Sequence, residues 1–269
     1  MLPEIVTFNT NNIRKGLSHK ESYLLSELAE KKEVFELREV IEVLNCSYNY
    51  AKKIVSVLIK KKWLIQIERG KYLIVPLSSG IKGEYTLNEF VIASYLIKPY
   101  YIAYWSALNF HGLTEQIPFK VFVATLKRKK SKEVNGVEYK FVTLSKHKFF
   151  GYKAHWIENN KIFISDVEKT IVDCLDHPEY CGGIEEVAKG LLKPINYDEF
   201  LDYAKRMKNG AILKRFGFLA EILGMDLPEF EASKGFVFLD PIAPKKGKYN
   251  PKWNIIVNLE EKRILEGSY

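Results

Sequence analysis

Apolar residues recur at helical spacing through YLLSELAE, and Ser18-His19-Lys20-Glu21 before it has the form of a capping box, in which hydroxyl and carboxylate satisfy each other's free backbone amides. A helix is predicted over about 19–31. VFEL is a short extended piece, LREVIEVL (37–44) a second helix, and Asn45-Cys46-Ser47 a tight turn. In SYNYAKKIVSVLIKKK the positions Ala51, Ile54, Val55 and Leu58 follow i, i+3, i+4, i+7, one stripe to face the first two helices. Lys52, Lys53, Ser56 and Lys60 fall mostly on the other side. WLIQI and KYLIV, joined at Glu68-Arg69-Gly70, then read as a β-hairpin. Three helices followed by a hairpin is the winged helix-turn-helix order, in which the third helix enters the DNA major groove and the hairpin touches the backbone beside it.

IVPLSSGIKGE is the expected linker, and Thr86-Leu87-Asn88-Glu89 is expected to cap a helix running to about Ile97. YYIAYWSALNFHGL reads as one further helix, closed by Gly112. Strand-like runs follow in FKVFVATL, VEYKFVTL, YKAHWI and KIFIS, broken by the basic loop KRKKSK and by turns at Asn135-Gly136 and Asn159-Asn160. Helices are predicted at about 166–176, 183–192, 197–207 and 211–223, and GFVFL and KWNIIVNL close the chain as strands. Blocks of helices and strands, rather than strict alternation, favour α+β. The expected architecture is therefore an N-terminal winged helix-turn-helix domain (1–80) followed by a larger mixed α+β domain (81–269).

With 269 residues the chain has length for two such units. It holds no run of eighteen apolar residues to span a bilayer. MLPEIVTFNTNNIRK has neither the apolar core nor the cleavage site of a signal peptide, and three cysteines are too few for a disulfide framework; a cytoplasmic address is expected. A formal charge of +8 points to an anionic partner, and its distribution says more than its total. From Asn45 to Pro76 seven basic residues (Lys52, Lys53, Lys60, Lys61, Lys62, Arg69, Lys71) face Glu68 alone, whereas the two supporting helices carry seven glutamates against four basic residues. Positive charge is concentrated where a groove-reading element needs it. Ser47, Tyr48, Asn49 and Tyr50 form the leading end of the third helix. Tyr48 and Asn49 are the candidates for base edges, and Lys52, Lys53, Lys60, Arg69 and Lys71 for the duplex backbone.

Chemistry concentrates elsewhere, in ISDVEKTIVDCLDHPEYC (164–181). Asp166-Val167-Glu168-Lys169 has the carboxylate-x-lysine form of metal-dependent nucleases, and Cys174, His177 and Cys181 are possible zinc ligands. Ser165-Asp166-Val167-Glu168, however, reads as a capping box opening a helix, on which Asp166 and Glu168 diverge by about 200°. Nuclease carboxylates of this kind share one face of a strand. On that helix Val167, Ile171, Cys174 and Leu175 make the buried stripe, Lys169 and Asp173 an ordinary surface pair one turn apart, and His177-Pro178 the stop. Phosphate-cradle and nucleophile-elbow motifs are missing from the sequence. His111 reads as a helix-end structural residue, and the KRKKSK loop as a solvated tip or a second DNA contact. The expectation is a protein that is not an enzyme and uses no cofactor or metal, with a nuclease using Asp166 to Asp173 as the alternative.

The order of WLIQIERGKYLIVPL, YYIAYWSALNFHGLTEQ, ISDVEKTIVDCLDHPEYCGGIEEV, NGAILKRFGFLAEILG and YNPKWNIIVNL resembles, over nearly the whole length, the AbiEi family of antitoxins from type IV toxin-antitoxin systems. That resemblance implies an autorepressor that binds inverted repeats in double-stranded DNA upstream of its operon through the winged helix. It also implies a carboxy-terminal domain opposing a nucleotidyltransferase toxin without a stable complex. A lone regulator whose second domain senses a partner or ligand fits the same residues.

Overall fold

The structure is a computed structural model that describes residues 13–226, 230 and 233–266. The stretch read as lacking a signal peptide falls mostly outside these residues. The fold is mixed α+β, with ten α-helices and three sheets among the described residues, and the chain divides into two compact units at Leu87/Asn88. No helix among the described residues is long and apolar enough to cross a membrane.

In the first unit α1 spans His19–Ala29, β1 Val34–Glu36, α2 Leu37–Leu44, α3 Tyr48–Lys60, β2 Leu64–Glu68 and β3 Lys71–Ile74. The Ser18/Glu21 capping box is made, its carboxylate accepting from the Ser18 N–H at 2.7 Å. α2 ends at Asn45 in the left-handed conformation, the region Asn tolerates better than most side chains, and this turns the chain sharply into α3. β3 takes the centre of a three-stranded antiparallel sheet, order β1-β3-β2. Leu24, Leu28, Phe35, Val40, Ala51, Val55, Leu58 and Leu64 close one core among these elements.

The expected linker is fastened to this unit. Arg14 donates to the carbonyls of Lys62, Val75 and Pro76, lies over the Trp63 ring at 4.2 Å, and its own N–H bonds the Ile81 carbonyl at 2.8 Å. One arginine, through its guanidinium and its backbone N–H, thereby stitches residues 75–81 back onto the end of α3, a role no periodicity announces.

The second unit is built on a six-stranded sheet, order β6-β7-β5-β4-β9-β8, with β4 Tyr100–Ile102, β5 Lys120–Thr125, β6 Lys132–Val134, β7 Val137–Thr143, β8 Tyr152–Ile157 and β9 Asn160–Ser165. β5/β7 and β4/β9 run parallel and the other neighbours antiparallel. Tyr101, Phe122, Ala124 and Val142 project into a large core shared with α6 (Val167–Asp176), α7 (Ile184–Leu191), α8 (Tyr197–Met207) and α9 (Gly210–Ile222). Their alternates Ile102, Val121 and Val123 are buried as well, and α4 (Glu89–Leu96) packs on β4, β5 and β9. Burial on both faces explains why FKVFVATL is apolar almost throughout. A second, small sheet orders β10 (Val237–Phe238), β12 (Ile255–Val257) and β11 (Lys248–Asn250), ahead of the closing α10 (Glu261–Glu266).

YYIAYWSALNFHGL is not one helix. Its first residues are β4, pairing with β5 through Tyr100↔Thr125, and only Tyr104–Phe110 are helical, as α5. The break comes at Ala103, which is extended, and Tyr104, at φ 54°. Tertiary pairing on both edges of YYI overrides a pattern that reads as helical from sequence alone.

Candidate nucleic-acid interface

α3 has two sharply different sides. At about 100° per residue, the buried Ala51, Ile54, Val55 and Leu58 occupy one arc, and Tyr48, Asn49, Lys52, Lys53, Ser56 and Lys60, all exposed, occupy the opposite one. Ser47 caps the helix, its hydroxyl accepting from the Tyr50 N–H at 3.4 Å, so that hydroxyl is committed to the backbone. Lys52 lies over the Tyr48 ring at 5.5 Å, and Lys20 from α1 covers the Tyr50 ring at 4.7 Å. These stacking contacts hold two aromatic rings and two ammonium groups together at the start of α3. Lys52, Lys53 and Lys60 make no ion pair among the described residues, so their charge faces outward undiminished.

The hairpin carries two further cations. Its turn carries the exposed Arg69 at its tip, while Lys71 stands 3.6 Å from Glu68 and is partly neutralised. Burial first, and the neighbouring Tyr48 phenol second, push the Tyr72 hydroxyl, close to the turn, above its usual pKa. The Gly70 carbonyl accepts from the Leu37 N–H at 2.9 Å, anchoring the turn to the start of α2.

Two lysines of the basic segment belong elsewhere. Lys61 turns inward and donates to Glu21 at 2.6 Å, and Lys62, at φ 65°, gives its carbonyl to Arg14. Lys20 is the cation that sequence reasoning missed. It sits on the net-acidic α1, where only its position over Tyr50 gives it significance.

The 164–181 cluster is arranged for packing. α6 is capped by Asp166, whose carboxylate accepts from the Lys169 N–H at 2.9 Å, and not by Ser165, whose hydroxyl bonds Thr170 and Ile102. Burial raises the Asp166 carboxyl above its ordinary range, opposed by the Lys169 N–H and the Tyr203 hydroxyl. Glu168 points away and accepts from the Asn196 N–H at 2.9 Å. Lys169 and Asp173, expected on the surface, are both 0% exposed; the ammonium donates to the Asp173 carboxylate and, at 3.1 Å, to the Tyr101 hydroxyl. The surface-pair expectation fails because β4 brings Tyr101, and the Phe149–Tyr152 segment its rings, over a helix face that the apolar stripe alone does not reveal. Cys174 and Cys181 are fully buried, and among the described residues no three His, Cys, Asp or Glu side chains are placed to hold a metal ion. His177 ends α6 and pairs with Glu179 at 2.8 Å. His111 follows α5 and its Nε2 meets the Ser165 carbonyl at 2.6 Å, a helix-end contact.

No family model and no curated protein matches this chain. Among solved structures it is similar to the crystal structure of the RV2827C protein from Mycobacterium tuberculosis, with TM-score 0.63 and 13% sequence identity over 96% of this chain and 97% of that one. At that identity the likeness is one of fold, and it extends through both units.

Proposed function

We propose that the first unit is a winged helix-turn-helix domain and that the protein is a sequence-specific repressor binding double-stranded DNA at an inverted repeat. The observation that carries this reading is the outer face of α3, where Tyr48, Asn49, Lys52, Lys53 and Lys60 stand exposed opposite the buried stripe. Its support comes from element order and from the β1-β3-β2 sheet that anchors the hairpin. In this reading Asn49 and Tyr48 reach base edges, a side-chain amide being suited to adenine. Lys52, Lys53, Lys60, Arg69, Lys71 and the newly placed Lys20 meet phosphates, fixing register more than sequence.

The second half of the proposal, an antitoxin opposing a nucleotidyltransferase toxin, is carried by the resemblance to the AbiEi family, and the second unit is its seat. No catalysis is assigned to the protein. Lys169 and Asp173 are sealed from solvent and satisfied by each other and Tyr101, so they offer no open face for a substrate.

Footprinting the protein on the DNA upstream of its own gene tests the first half. Protection of two inverted half-sites is the expected result, and uniform weak protection of any duplex would overturn sequence-specific repression. Co-expression with a toxin gene adjoining this one tests the second half. Restored growth is expected, and undiminished toxicity would reduce the protein to a regulator.

A further inference from the structure

We infer that one end of the six-stranded sheet in the second unit is a second binding surface for the phosphate backbone of a DNA duplex. This rests on the duplex-binding reading of α3 and extends it to a part of the chain outside the proposed reading head.

The surface is assembled by topology. β5 and β7 are parallel and in register at Thr125↔Thr143, so the segments leaving them lie side by side, joined by the Leu144 N–H to the Thr125 carbonyl at 2.8 Å and the Thr143 hydroxyl to the Lys127 carbonyl at 3.4 Å. The first of these segments carries Lys127, Arg128, Lys129 and Lys130, and the second Lys146. β4 is antiparallel to β5 and begins at the same end, where the Thr125 hydroxyl donates to the Pro99 carbonyl at 2.7 Å, and this adds Lys98. β9, parallel to β4, adds Lys161. Separate stretches of sequence thus deliver cations to one end.

The cations are held outward and left uncompensated. Lys98, Lys127, Arg128, Lys130, Lys146 and Lys161 are exposed and make no ion pair among the described residues. Lys129 and Lys148 act as braces: Lys129 donates to the Leu96 carbonyl at 2.5 Å, and Lys148 pairs with Asp176 at 2.6 Å. A carboxylate at this end, that of Glu158, accepts from the Asn88 N–H at 3.2 Å. A solvated face in a chain with 33 carboxylates would be expected to interleave signs, as Lys120 with Glu138 does at the opposite end of β5 and β7. Six like charges gathered at one end of the sheet, five in the segments flanking its strands and Lys161 on β9, repel one another, and a polyanion relieves that repulsion. Besides Lys161, 5.9 Å over the Phe163 ring and opposite the exposed Trp156 in register, the other five of these cations make no ring contact among the described residues, so rings gather at one edge of the surface and cations across the rest. Such a surface suits phosphates rather than unstacked bases, which favours duplex over single strands.

The test uses full-length protein in three forms: wild type, Lys52→Glu/Lys53→Glu, and the quadruple variant Lys127→Ala/Arg128→Ala/Lys130→Ala/Lys146→Ala, each first checked for an unchanged melting transition. On upstream DNA the quadruple variant is expected to keep its footprint centre while the slope of log affinity against log salt becomes shallower by about 0.9 for each phosphate no longer neutralised. On a non-operator duplex at low salt the Lys52/Lys53 variant is expected to retain salt-sensitive binding that disappears when the quadruple change is added. An unaltered slope in the quadruple variant, or no residual binding by the Lys52/Lys53 variant, overturns this inference while leaving the α3 reading intact. Operator binding untouched by the Lys52/Lys53 change but abolished by the quadruple change would support the strand-end surface and defeat the α3 reading instead.

Discussion

Lys169 and Asp173 stand one turn apart on α6, fully enclosed, with the ammonium donating to the carboxylate and Tyr101 bridging the two. Burial lowers the Lys169 pKa and raises that of Asp173, and each opposes the effect on the other. Exposed pairs of this spacing contribute about 0.3–0.5 kcal/mol. Removing one partner of a buried pair strands the other charge and costs about 3–5 kcal/mol. We expect Asp173→Ala to fall in that upper range by denaturant titration, and Lys169→Met/Asp173→Leu to recover much of the loss. A cost below about 1 kcal/mol for the single change would contradict the enclosure.

Glu21 couples pH to the first unit. Burial would raise its pKa, but the Lys61 ammonium and the Ser18 N–H outweigh that and hold it below the ordinary carboxylate range. A carboxylate depressed in the fold gives stability that is fully present above its unfolded pKa of about 4.3 and lost as pH falls through the folded value. Protection factors of α1 amides, measured relative to the intrinsic exchange rate at each pH, should therefore fall on acidification below about pH 4.3, and Glu21→Gln should flatten that dependence. Identical acid profiles for the two proteins would show that the Lys61 pairing does not form.

Gly217 sits inside α9, where helix propensity alone makes alanine better by about 1 kcal/mol. A Cβ there would lie 2.2 Å from the Trp253 ring, whose N–H donates to Glu221. With the indole fixed at one end, it cannot swing aside freely. Gly217→Ala is expected to destabilise by about 1–3 kcal/mol, reversing the sign that propensity predicts. Thermal melting decides it, and a raised midpoint would mean that Trp253 packs elsewhere.

The legible parts of this chain are those governed by local chemistry. The Ser18 box, the α3 stripe and the α8 bounds at 197–207 all follow from residues within a few positions of each other. The outward lysines of α3 were legible for the same reason, since a buried stripe fixes what lies opposite it. Hidden from sequence were features set by partners far along the chain. YYI becomes a strand because β5 and β9 lie on either side of it, and Lys169 becomes core because Tyr101 lies 68 positions away yet within hydrogen-bonding reach. Lys20 and Lys61 exchanged the roles that charge counting suggested, the first joining the α3 face through Tyr50 and the second turning in to Glu21.

The outer face of α3 is tested most directly by affinity for the protein's own upstream DNA. Wild type should bind with log affinity falling linearly in log salt, at about 0.9 per phosphate neutralised. Lys52→Glu/Lys53→Glu should lose specific binding with its melting transition unchanged. Equal affinity and equal salt slope in the two proteins would contradict the proposal that this face reads DNA.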